Sequence, residues 1–244
     1  MDDLGGRVAV VTGAASGLGR AMAERLAAEG MRVVVSDIDR TGLDDVAGSL
    51  TGAGHEVHAT STGLSNEKLG MWVFLSSDCL LFGALISTYL LLHKRSVSGP
   101  TPEAIYDIPF TSVSSFVLLM SSLTMVLAVS ALTRGDERRN RLWLLTTALL
   151  GTIFIGGQVY EFTSFVREGL GFTTNIFGSA FFTLTGIHGA HVTVGILMLL
   201  SLVGLSMRGK LPESKAETLE LVGLYWHFVD VVWIVIFTLV YLIP

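Results

Sequence analysis

Past residue 68 the sequence is a series of long apolar runs separated by short polar connections, at about residues 69–92, 112–133, 142–166, 175–206 and 219–243. Each run exceeds the roughly 20 residues a helix needs to cross about 30 Å of hydrocarbon, so the pattern predicts five membrane-spanning helices. The first 62 residues follow a different rhythm. Residues 8–11 are a short β-branched run that predicts a buried strand, and a glycine-rich turn after it opens a helix to about Glu29. Gly30 closes that helix, residues 32–36 predict a second strand, 41–53 a second helix and 55–59 a third strand. The expected organisation is a partial α/β fragment over residues 1–62, a linker over 63–68, and an all-α bundle of five transmembrane helices over 69–244.

Composition agrees with that division. Half of the 244 residues are hydrophobic and only 15% are charged, which is membrane-protein composition. Residues 1–62 alone hold five Lys or Arg against nine Asp or Glu and read as soluble. The net charge of −5 argues against nucleic acid as a partner. Cys79, the single cysteine, allows neither a disulfide framework nor a cysteine metal site. Met1, Asp2 and Asp3 lack the basic start of a secretory signal. Arg134, Arg138, Arg139 and Arg141 follow the second span and Arg208, Lys210 and Lys215 the fourth, whereas the opposite connections hold only Lys94, Arg95 and Arg167. The positive-inside rule therefore predicts a cytoplasmic N-terminus and, after five spans, Pro244 outside.

Candidate chemistry in the first segment rests on Gly13, Gly17 and Gly19 after the first strand and on Asp37 at the end of the second. Glycines in that spacing permit a tight turn and let a pyrophosphate approach the amides at a helix N-terminus. A carboxylate at the second strand end suits the ribose hydroxyls of NAD. These residues resemble the Rossmann-like opening of a short-chain dehydrogenase/reductase, over about residues 5–60 only. That family's catalytic Ser and Tyr-x-x-x-Lys pair have no match: none of Tyr89, Tyr106, Tyr160, Tyr225 and Tyr241 is followed four residues later by Lys. Without an acid/base pair hydride transfer has no machinery, so the expectation is a vestigial NAD site with no catalytic residue.

Ionisable side chains inside a bilayer are costly and mark function or helix contacts. Here they are Asp78 in the first run, Glu161 in the third, His188 and His191 in the fourth, and His227 and Asp230 in the fifth. Spacing of three puts His188 with His191, and His227 with Asp230, on shared helix faces. Histidines of this kind ordinarily bond a neighbouring carboxylate or lipid headgroup. Haem ligation by His188 or His191 with His227 is the alternative, and a di-metal site lacks the Glu-x-x-His pairs it would need.

Four stretches carry a second resemblance: residues 70–78 ending in Asp78, Gln158 with Glu161, residues 177–192 with His188 and His191, and residues 225–233 with His227 and Asp230. In this order, from about Lys68 to the C-terminus, they resemble subunit III of haem-copper oxygen reductases, specifically the five-span bacterial form of cytochrome c oxidase subunit III. The resemblance implies a subunit of the aerobic respiratory chain in the bacterial plasma membrane, without a redox centre or metal of its own. It implies haem and copper in partner subunits I and II, phospholipid held between helices, and support of proton-pumping oxygen reduction. Asp78 stands where the family carries an intramembrane Glu, a departure of one methylene. Glu161, His188, His191, His227 and Asp230 fall on matching positions and are expected to bind between helices or to lipid. Three alternatives stand beside this reading: a quinol-oxidase or nitric-oxide-reductase accessory subunit, an NAD-binding membrane dehydrogenase, and a haem b electron carrier.

Overall fold

Three short strands, β1 (Val8–Thr12), β2 (Arg32–Asp37) and β3 (Val57–Ser61), form a parallel sheet in the order β1-β2-β3. The computed structural model describes residues 4–61, 66–93, 95, 106–209, 211 and 216–243. Two helices, α1 (Gly17–Ala28) and α2 (Arg40–Gly52), connect the strands. Val11, Val33 and Val35 pack with Ala23 and Ala27 of α1 and Leu43, Val46 and Leu50 of α2 in one small core. On the other sheet face Val8 and Val10 are 55% and 68% exposed. Each helix ends on a left-handed glycine. Gly30 has φ +81° with Met31 N–H bonded to Leu26 O, and Gly54 has φ +87° with His55 N–H bonded to Leu50 O. That second closure uses residues 53–55, which is why β3 starts at Val57, two residues later than the sequence suggests.

The remaining helices are α3 (Asn66–Leu92), α4 (Ile108–Leu132), α5 (Glu137–Arg167), α6 (Ile176–Met207) and α7 (Ala216–Phe237), the last continued by a π-helical turn, Thr238–Leu242. All five are long and apolar enough to cross a membrane. The chain divides into units Met1–Leu69 and Gly70–Pro244, each with its own core. Of the expected linker, residues 63–65 lie outside the described residues, as do Thr62, Lys94, Lys210, Lys215 and Pro244, and α3 begins already at Asn66. Helices α4 and α5 start four to five residues before their apolar runs, because a capping carboxylate and not hydropathy sets the start. Asp107 accepts from Phe110 N–H at 3.1 Å with Pro109 in the first turn, and Asp136 accepts from Arg139 N–H at 2.9 Å.

Four helices meet around Trp226 of α7, whose side chain is fully buried. Its Nε1–H donates to Ser121 Oγ of α4 at 2.9 Å. A Cβ placed on Gly151 of α5 would lie 2.5 Å from Trp226 Cη2, and one on Gly195 of α6 would lie 2.8 Å from Cε3 and Cζ3. Both helix backbones therefore press against the indole. Two turns further along α7, Trp233 Nε1–H donates to Ser115 Oγ of α4 at 2.8 Å. Between α4 and α5, Asn140 Nδ2 donates to Ala128 O at 2.9 Å and the hydroxyls of Thr124 and Thr147 bond at 2.8 Å. Small residues permitting close approach, with short polar ties, are how helices associate where no hydrophobic force separates helix from lipid.

Candidate functional site: intramembrane polar groups

At the bundle end formed by the start of α4 and the ends of α5 and α7, Glu161 is buried among hydroxyls. Thr111 Oγ1 donates to its Oε1 at 2.7 Å and Tyr241 OH to its Oε2 at 3.2 Å. Tyr241 lies in the π-helical turn, a rare geometry that is frequent at functional sites. Tyr106 packs against Tyr241 with tilted rings whose centroids are 4.5 Å apart, and its hydroxyl bonds Tyr89 of α3 at 3.2 Å. Glu161 thus joins α5 to α4 and α7 with no ion-pair partner among the described residues.

Nearer mid-span, α3 meets α6 through Phe82, whose ring lies 6.3 Å from His188 and 5.1 Å from His191. His191 Nδ1 bonds Ile187 O at 2.8 Å, and its Nε2 lies 3.7 Å from Asp78 Oδ2, an ion-pair distance beyond hydrogen-bond reach. His188 is completely buried, stacked on Trp233 at 4.9 Å and edged by Phe154 at 6.1 Å, with no hydrogen-bond partner on either nitrogen among the described residues. His227 faces α4, its Nδ1 hydrogen-bonded with Ser122 Oγ. Asp230, on the same face of α7 and beside Ser122, has both oxygens buried and outside hydrogen-bond geometry. The six ionisable residues therefore form three separate groups on different helix contacts. Haem ligation by His188 or His191 with His227 does not fit this arrangement: His188 is closed in by aromatic rings, His191 is bonded to Ile187 O and faces Asp78, and His227 is held to Ser122 of α4. Among the described residues no three His, Cys, Asp or Glu side chains converge as metal ligands would.

Several partners escape a search for charges. Thr111, Tyr241, Ser122 and Gln158, whose Nε2 donates to Thr185 O at 3.1 Å, hold the network together. Thr111 and Ser122 belong to a stretch of serines and threonines over residues 111–124, with Ser115 and Ser122 one heptad apart.

In the N-terminal unit, Gly13 has φ +68°, and a Cβ on Gly19 would lie 2.1 Å from Gly13 O, so the turn closes onto the helix start as only glycine allows. Gly17 is also left-handed, at φ +54°. Asp37 stands at the end of β2, beside this turn. Its Oδ2 accepts from Ala15 N–H at 2.7 Å and its Oδ1 from Asp39 N–H at 3.0 Å, so the carboxylate proposed for ribose already serves the glycine turn. The amides of Asp39 and Ala15 hold its pKa below the ordinary value of 3.8.

Fold and polar groups define an integral membrane protein whose helices are joined by buried hydroxyl, carboxyl and imidazole groups. The model of the family "Cytochrome c oxidase subunit III" matches residues 33–243, and the chain belongs to that family. It is 42% identical to cytochrome c oxidase subunit 3 of Bacillus sp. (strain PS3) over 190 residues, 78% of this chain and 91% of that one. It is also 42% identical to a probable quinol oxidase subunit 3 of Staphylococcus saprophyticus over 179 residues, 72% of this chain and 89% of that one. With cytochrome bo(3) ubiquinol oxidase subunit 3 of Pseudomonas aeruginosa the identity is 38%, over 77% of this chain and 92% of that one. Among solved structures, a short chain dehydrogenase/reductase from Burkholderia phymatum in complex with NAD is 44% identical over 28% of this chain and 24% of that one, with a TM-score of 0.25. The chain is thus subunit III of a haem-copper oxidase and associates with other oxidase subunits.

Proposed function

We propose that this subunit acts without a redox centre of its own in a cytochrome c oxidase, bracing the haem- and copper-bearing subunits I and II and binding phospholipid between its helices. The observation that carries this reading is the use of the intramembrane polar groups. Glu161, His227 and Gln158 each spend their hydrogen bonds on another helix of the same chain, and Asp78 faces His191 across the contact of α3 with α6. Groups committed to helix contacts stabilise a scaffold and leave electron transfer to neighbours. The N-terminus lies on the cytoplasmic side, an orientation supported by the arginines after α4. Quinol as electron donor is the second reading, favoured by the equal identity to the Staphylococcus protein.

The test is the oxidase purified with and without this chain. Both forms should show the same haem spectrum, and the form without it should lose turnover sooner; a haem deficit on removing the chain would refute the non-redox role. Supplying reduced cytochrome c or quinol separates the two donor readings. For the N-terminal unit we propose a remnant of a short-chain dehydrogenase/reductase without useful NAD binding, supported by the engagement of Asp37 with Ala15 and Asp39. Fluorescence titration with NADH should show no saturable binding at millimolar concentration, and saturation would refute it.

A further inference from the structure

The turn between α4 and α5 carries four arginines against Asp136 and Glu137, on a rigid backbone. Gly135, at φ +74°, lets Asp136 N–H close onto Ala131 O, after which Asp136 caps α5. Arg139 pairs with Asp136 at 3.2 Å and Arg141 reaches Glu137 O. Arg134 and Arg138 are exposed and have no ion-pair partner among the described residues. Beside Arg138 lies an open groove of about 640 Å³ lined by Asp136, Arg138, Arg139 and Leu142.

The groove continues as an apolar lane. Leu142, Leu145, Leu149 and Ile153 are 59%, 46%, 59% and 51% exposed and recur every three or four residues on the α5 face that starts at Arg138. From Leu142 to Ile153 the helix rises about 16 Å, half of the roughly 30 Å hydrocarbon thickness and thus the depth of one leaflet. Orientation in the bilayer requires only positive charge somewhere on this side. It requires neither a groove beside Arg138 and Arg139 nor an apolar lane of leaflet length beneath it.

We infer that Arg134 and Arg138 bind the phosphate of an anionic membrane phospholipid whose acyl chain lies along Leu142, Leu145 and Leu149. Asp136 disfavours additional negative charge within the groove, so the phosphodiester sits on the side of Arg134 and Arg138. This site is on the outer face of α4 and α5, apart from the polar groups of the bundle interior.

The test uses the whole oxidase complex, delipidated in detergent and titrated with phosphatidylglycerol or phosphatidylcholine, with bound lipid counted by native mass spectrometry. Each arginine near the membrane surface contributes about fivefold, so R134Q/R138Q should weaken one phosphatidylglycerol site roughly 30-fold and leave phosphatidylcholine binding unchanged. Arg208→Gln, remote in sequence, should retain that site. Leu145→Asn should weaken the same site while the complex stays assembled. Equal phosphatidylglycerol binding by wild type and R134Q/R138Q overturns the proposal. Displacement of the lipid by millimolar inorganic phosphate also overturns it, since the site would then take a soluble anion.

Discussion

Adding one methyl group at Gly151 tests the packing of the bundle at its tightest point. The new Cβ would stand 2.5 Å from Trp226 Cη2, 3.0 Å from Cζ2 and 3.2 Å from Ile196 Cγ1. Carbon atoms at rest stay about 3.5–4.0 Å apart, so roughly 1 Å must be recovered. The indole cannot yield it. It is 1% exposed, tied to Ser121, and backed by Gly195 of α6, where a Cβ would stand 2.8 Å away. Separation of α5 from α7 is what remains, and overpacking of this kind costs about 1–3 kcal/mol. At roughly 2–4 °C per kcal/mol, Gly151→Ala should lower the thermal midpoint of the subunit, followed as its release from the purified complex, by about 2–12 °C. Trp226→Phe removes the atoms that clash. It destabilises by itself through the lost Ser121 bond and the cavity left, but in its background Gly151→Ala should cost little, giving a coupling of at least about 0.5 kcal/mol. An unchanged midpoint for Gly151→Ala, or the same penalty in both backgrounds, would refute the packing argument.

Tyr241→Phe removes a donor to buried Glu161 and should destabilise the bundle by about 0.6–1.7 kcal/mol, measured by the same midpoint; no change would mean that the π-helical turn does not serve Glu161. Gly48 of α2 has open space around it, so Gly48→Ala should slow proteolysis of the N-terminal unit by stabilising it about 0.5–1 kcal/mol, whereas Gly19→Ala, pressed against Gly13 O, should speed it. Neither should alter oxidase turnover. Asp37 has a folded-state pKa below its ordinary 3.8. Its contribution is therefore fully present above about pH 4 and is lost as pH falls through the lower folded value. The hydrogen-exchange protection of residues 8–37, corrected for the intrinsic exchange rate, should fall in that acid range in wild type, and Asp37→Asn should abolish the pH step.

The five spans were legible because an apolar run of 20 or more residues leaves few alternatives, and positions such as Glu161 and His188 stood out by charge alone. Their partners did not. Thr111, Ser122 and Tyr241 are ordinary residues until tertiary packing brings them to Glu161 and His227, and nothing in local spacing announces a π-helical turn at Thr238–Leu242. Helix starts shifted for a related reason, since Asp107 and Asp136 cap through charges that hydropathy excludes from a span. The role of Trp226 was hidden too. It reads as one aromatic among several, and only the structure shows two glycine backbones closing on its faces. In the first unit Gly13, Gly17 and Gly19 shape the turn after β1, and the bonds from the amides of Ala15 and Asp39 to Asp37 are a tertiary detail that spacing does not announce.

Membership of a haem-copper oxidase is tested most directly by purifying this chain from its own membranes through a C-terminal affinity tag and recording the reduced-minus-oxidised spectrum of the eluate. The expected result is a stoichiometric complex with haem-bearing partners that consumes oxygen. Recovery of the intact chain in full yield, without haem-bearing subunits and without oxygen consumption, would contradict it.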